Sequence, residues 1–115
     1  MHFFRSRHRR QQRHPRAYEV VRLRGDLDAR NAEATGRRLV GMVGAGPDIL
    51  EIDLGGVNYL SPDGCRALLM ALRAARAHGT RLVITNANDR ARRVLRQIGI
   101  TRALAAGADD GTSAG

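Results

Sequence analysis

Across its 115 residues the chain has no lysine, no tryptophan and a single cysteine, Cys65. Its twenty basic residues are therefore all arginine. Walker-type phosphate loops, pyridoxal-phosphate Schiff bases and two-component receiver sites each depend on one specific lysine, so those chemistries are excluded. One cysteine leaves no internal disulfide and no all-cysteine zinc site. Aromatic residues amount to two Phe and two Tyr, with Phe3 and Phe4 both at the amino terminus, so there is no platform on which bases could stack. No apolar run approaches the ~20 residues of a membrane span. The basic amino terminus has no apolar stretch of the signal-peptide kind. The resulting expectation is a cytoplasmic protein.

What the chain has instead is positive charge, unevenly placed. The formal net charge is +9. Residues 1–16 hold six arginines and no acid, whereas residues 17–115 hold fourteen arginines against eleven acids. The segment RSRHRRQQRHPR is polar and aperiodic, which predicts a disordered arm over residues 1–16. Such an arm is a solubilising tail or, functionally, a contact of residues 5–16 with the phosphates of nucleic acid or anionic lipid. The rest is the size of one domain, expected over residues 17–106. A small, polar, flexible tail is expected over residues 107–115.

Residues 18–25, YEVVRLRG, read as a strand. Ala32, Thr35, Leu39 and Met42 then recur at helical spacing, with Asp28 ahead of them as the expected N-cap. After a GAGPD loop, ILEIDL over residues 49–54 is a second strand, and GGVNY carries the chain onward. Cys65, Leu68, Leu69 and Leu72 stripe one face of the next helix, which Gly79 closes. RLVIT over residues 81–85 is a third strand. Asn88 and Asp89 open a last helix striped by Ala91, Val94, Leu95 and Ile98 and closed by Gly99. Strands alternating with helices of ten to fifteen residues indicate an α/β fold with a mostly parallel sheet.

Few residues offer chemistry. Asp26, Asp28 and Asp53 follow or end strands, where acids can bind magnesium or transfer protons, but D-x-D is a weak pattern and no histidine lies near it. His2, His8 and His14 fall in the arm, and His78 sits at a helix end, where a cation suits the dipole. Cys65 lies on an apolar stripe and reads as core. Gly44 and Gly46 lack the strand–loop–helix context of a dinucleotide site. A binding module is the better reading than an enzyme, with no cofactor and no metal implied.

Three stretches, VVRLRGDLDARNAEATGRRL, ILEIDLGGVNYLSPDGCRALLMALRAARAHGTRLVIT and RARRVLRQIGI, follow one another in an order that resembles STAS domains of the anti-sigma factor antagonist type. The resemblance covers roughly three-quarters of the chain. It implies a STAS-like fold, a small, mostly parallel central sheet with helices packed on one side. It also implies regulation of transcription by binding an anti-sigma factor of the ATPase or kinase fold, which phosphorylates a serine at the start of the helix after the third strand.

In that register the family's D-S-S-G loop is Ser61-Pro62-Asp63-Gly64 here. Asp63 therefore stands at the phosphoacceptor position, and Ser61 is left as an alternative phosphosite. Ser61 as N-cap, Pro62 at the first helical position and Asp63 at the second also make a good helix start on stability grounds alone. The switch surface expected from the resemblance is Ser61, Pro62, Asp63 and Gly64 with Arg66 and Arg73 on the following helix. The family's first strand would fall where the basic arm lies, so the sheet edge is expected to be covered by a partner or by a second copy.

Overall fold

A computed structural model describes residues 2–9 and 17–104. The elements in chain order are β1 (His2–Arg9), β2 (Ala17–Leu27), α1 (Ala32–Gly44), β3 (Ile49–Leu60), α2 (Cys65–His78), β4 (Arg81–Thr85) and α3 (Asp89–Ile98), and residues 100–104 form a further helical turn. The four strands make one sheet in the order β1-β2-β3-β4. β1 is antiparallel to β2, whereas β2, β3 and β4 run parallel.

The sheet has two unlike faces, as period-2 side chains dictate. Val21, Leu23, Leu50, Ile52, Leu54 and Leu82 point to the helix side and are buried. Tyr18, Arg22, Glu51, Asp53 and Thr85 occupy the opposite face. There Glu51 accepts hydrogen bonds from Tyr18 (2.5 Å) and Thr85 (2.7 Å). Helices α1 and α2 pack closely on each other at Gly36, where a β-carbon would lie 2.4 Å from Met70 Sδ and 3.2 Å from the Ala67 Cα. Cys65 is wholly buried in this core, and burial pushes its thiol up to about 11.

Several expectations need correction. Residues 2–9, read as part of a disordered arm, form β1, which pairs with β2 from His2 opposite Arg24 to Arg9 opposite Ala17. The edge of β2 is thus covered by the chain's own strand, and neither a partner nor a second copy is needed there. Polar composition hid the strand because its register, not its own apolar pattern, holds it. Phe3 packs on the core beneath Arg38, whose guanidinium carbon is 5.0 Å from the ring centroid. Arg7 takes the register position opposite Glu19, an acid only 2% exposed. β3 runs on to Leu60 rather than ending at Leu54, because residues 56–60 continue to pair with residues 24–27 of β2. The continuous helical run of α1 starts at Ala32, one turn beyond Asp28; Asp28 opens that turn, its carboxylate accepting from the Arg30 amide and its carbonyl from the Ala32 amide at 2.9 Å. Residues 10–16 and 107–115 lie outside the described residues.

Candidate functional site

The parallel strands β2 and β3 deliver their carboxyl ends side by side, Leu27 opposite Leu60, and the two loops that follow are packed on each other. In open parallel sheets this is the edge where ligands and partners bind. The loop after β3 is Ser61-Pro62-Asp63-Gly64.

Ser61 opens α2. Its Oγ, in a residue only 8% exposed, accepts a hydrogen bond from the Gly64 amide at 2.9 Å. This is the N-cap geometry, in which the side-chain oxygen satisfies an amide left without a partner in the first turn. The Ser61 amide in turn donates to the Leu27 carbonyl at 3.0 Å, tying the loop to the end of β2. Pro62 follows with φ preset for a first helical turn and no amide to satisfy. The Cys65 amide donates to the carbonyls of Ser61 and Pro62, and the Arg66 amide to that of Asp63 (3.1 Å), so the first turn is already wound.

Gly64 is there for space, not for an unusual dihedral. Its φ is an ordinary −62°. A β-carbon on it would lie 2.1 Å from the Leu27 carbonyl oxygen and 2.6 Å from the Leu27 carbonyl carbon, well inside van der Waals contact. No larger residue can stand there unless the two loops separate.

Pro62 and Asp63 are exposed on the resulting rigid turn. The Asp63 carboxylate forms no ion pair or side-chain hydrogen bond with another described residue. Arg66 is exposed just beyond it, and Arg73, seven residues on and therefore on the same helix face, is exposed as well. The four loop residues and Arg66 come together at one end of α2, while Arg73 lies two turns away.

The sequence reading did not single out Tyr59. It is 52% exposed at the end of β3, immediately before the loop, and is one of two large hydrophobic side chains so exposed among the described residues. Strand alternation supplies the signal: with Leu60 pointing into the core, its predecessor must point out.

The other candidate acids are engaged or scattered. Asp28 accepts from the Arg30 amide at 3.0 Å and from its guanidinium at 2.9 Å, and that bonding holds its carboxyl below the usual range. Asp53 is partly desolvated. The Gly55 amide (2.8 Å), Asn86 (3.0 Å) and Arg22 nevertheless hold its carboxyl below the usual range. Asp26 is exposed. Among the described residues no three His, Cys, Asp or Glu side chains come together as a metal-ligand set.

Residues 11–106 match the family model described as "Mlab, STAS domain". The chain belongs to the STAS domain family. Solved structures share the fold. The anti-sigma factor antagonist SpoIIAA in its unphosphorylated form is similar with a TM-score of 0.64 at 18% identity, over 84% of this chain and 84% of that one. An anti-sigma factor antagonist from Mycobacterium paratuberculosis is similar with a TM-score of 0.59 at 21% identity, over 92% of this chain and 96% of that one. The STAS domain of a SulP transporter from Vibrio cholerae is similar with a TM-score of 0.58 at 25% identity, over 76% of this chain. This STAS chain spans 65% of the length of that transporter domain. None of the curated proteins matches it. Among its described residues no helix is long and apolar enough to cross a membrane.

Proposed function

We propose that this STAS domain is a protein-binding regulator of the anti-sigma factor antagonist type, and that Asp63 gives its docking loop a fixed negative charge where related proteins carry a phosphorylatable serine. The observation that carries the reading is the state of Asp63: exposed, its carboxylate without a partner among the described residues, and set on a turn that Ser61 and Gly64 hold rigid. A phosphoserine carries about −1.5 to −2 charge and three acceptor oxygens. The aspartate supplies −1 and two, a permanent and partial equivalent. The partner is an anti-sigma factor of the ATPase or kinase fold, docking on Asp63, Tyr59, Arg66 and Arg73. The site works by binding, with no catalytic step.

Ser61 is a poor alternative acceptor. Its hydroxyl is buried and already accepts from the Gly64 amide, so a kinase would have to unwind the start of α2 to reach it. Regulation then rests on the abundance or competition of partners rather than on phosphate at this loop.

The test is calorimetric titration of the wild type and of Asp63→Ser against the ATPase-fold anti-sigma factors encoded in the same genome. Tight binding by the wild type, unimproved in the variant, supports an antagonist that acts without a phosphoswitch. Binding by the variant alone makes Asp63 a built-in off state. Binding by neither removes the antagonist reading. A second reading, a STAS module serving a membrane transporter, is favoured by the family description and by the transporter STAS domain that shares the fold. It predicts co-purification with a transport complex and indifference to every anti-sigma factor.

A further inference from the structure

Two segments of the chain carry its excess positive charge: residues 1–16, with six arginines and no acid, and residues 86–104. Residues 17–85 hold eight acids against nine arginines, close to balance. Residues 86–104 hold one acid, Asp89, against Arg90, Arg92, Arg93, Arg96 and Arg102. Among the remaining arginines Arg30 pairs with Asp28, Arg37 with Glu33, Arg38 lies over Phe3 and Arg76 donates to the Ala103 carbonyl, while Arg66, Arg73 and Arg81 are exposed and dispersed over α2 and β4. On α3 only Arg92 is so engaged, with Asp89. Arg90, Arg93, Arg96 and Arg102 are exposed and make no ion pair or side-chain hydrogen bond with another described residue.

The arrangement around α3 indicates what this charge meets. Ala91 and Leu95 anchor the helix in the core. Arg90, Arg93 and Gln97 follow one another at i, i+3 and i+7 and share an outward strip. The adjoining strip, at i+4 and i+8 from Arg90, is Val94, partly buried, and Ile98, 39% exposed. An aliphatic strip bordering guanidinium groups matches the boundary between lipid headgroups and acyl chains, where the cations meet phosphate and the aliphatic side chain leaves water. A phosphodiester backbone offers nothing to Ile98, and no aromatic side chain on α3 is available for stacking on bases.

We propose that the edge of α3 along which Arg90 and Arg93 border Val94 and Ile98 is a peripheral docking surface for an anionic lipid membrane. It is separate from the residue 61–64 loop and independent of the antagonist reading. No helix crosses the bilayer in this arrangement: α3 lies along the surface, its apolar side still in the protein core. Binding of this kind is salt-sensitive, because exposed charges are screened within about 8 Å at physiological ionic strength.

The experiment is sedimentation of the full chain with vesicles of phosphatidylcholine containing a third phosphatidylglycerol, with pure phosphatidylcholine as the neutral surface. Arg90→Gln/Arg93→Gln is compared with Arg37→Gln/Arg81→Gln, which removes the same charge from elsewhere; thermal melts check that both fold. The proposal expects binding to the anionic vesicles only, weakened roughly tenfold by the α3 pair. It expects little change from the control pair and a further loss with Ile98→Ser. Equal losses in both pairs would overturn it by showing that net charge alone binds. So would retention of binding in the α3 pair, since the surface would then lie elsewhere, residues 1–16 included. A 20-base-pair duplex bound through the same arginines while vesicles are ignored would replace the lipid with nucleic acid.

Discussion

Two aspartates stand in neighbouring loops at the same edge of the sheet, and the chain uses them in opposite ways. Asp28, after β2, is consumed locally: its oxygens take the Arg30 amide and guanidinium, while the Asn31 side chain accepts from the Asp28 amide and donates to the Asp26 carbonyl. Asp63, after β3, has no such side-chain partner among the described residues and faces solvent. An acid that completes its own turn is explained by the fold. An acid held outward by a cap it does not itself make is the one on which the proposed partner reading rests. The contrast separates the carboxylate that the fold engages from the one that faces solvent more clearly than either sequence motif does.

The two loops also depend on each other, and Gly64 is where that dependence is tightest. Gly64→Ala should give the largest effect of any change at this edge. Its β-carbon collides with backbone, at the Leu27 carbonyl, and backbone cannot rotate away as a flexible side chain can. The expected loss is roughly 3 kcal/mol in urea unfolding, with both loops shifted. A loss below about 1 kcal/mol would mean that they move independently, and the rigidity attributed to Asp63's turn would go with it.

Next in size is the cap. Ser61→Ala removes the acceptor for the buried Gly64 amide and should lower stability by about 1 kcal/mol. Ser61→Asn, another good cap, should recover part of it if the pocket admits the longer side chain. An unchanged midpoint in the alanine variant would show that the amide finds another partner.

The parts legible in the sequence were those governed by local spacing. The stripe of α2, the Asn88 cap whose side chain accepts from the Ala91 amide, and the left-handed glycines 79 and 99 all follow from residues within one helix turn of each other. What stayed hidden depends on partners far along the chain. β1 is held by β2, with Arg7 in register opposite Glu19, and nothing within RSRHRR marks it as a strand. The family's first strand was therefore expected to be missing when it is present. The need for glycine at 64 comes from Leu27, thirty-seven positions earlier, and cannot be read from SPDG. Asp28 opens the turn that leads into α1, and the Arg30 guanidinium adds a bond that the helical stripe does not show.

The pH dependence of Asp28 sharpens the contrast at a smaller scale. Hydrogen bonding from Arg30 lowers its native pKa below 3.8. Such a group stabilises the fold at pH values above its unfolded pKa, and the contribution is lost as pH falls through the native pKa. Asp28→Asn should therefore be less stable than wild type at neutral pH by a modest amount, since Arg30 is mostly in solvent. The two should converge as the pH falls through the lowered native pKa of Asp28. A difference that persists in acid would assign the effect to the turn's geometry rather than to the charge.

Asp63→Ser should be the smallest change of all in stability. The carboxylate lies near the positive end of α2, a favourable placement worth about 0.5 kcal/mol for an exposed group at low salt. Serine keeps the loop's size and leaves the Ser61 cap and the Gly64 contact intact. Thermal melts of the two proteins should nearly coincide, and should coincide fully in high salt, where the dipole term is screened. A loss well above 1 kcal/mol would make Asp63 a second Asp28, an acid placed for the fold, and would remove the reason for reading it as a message to a partner. Near-identical melts with altered partner affinity would leave charge at the binding surface as the one property the substitution changes.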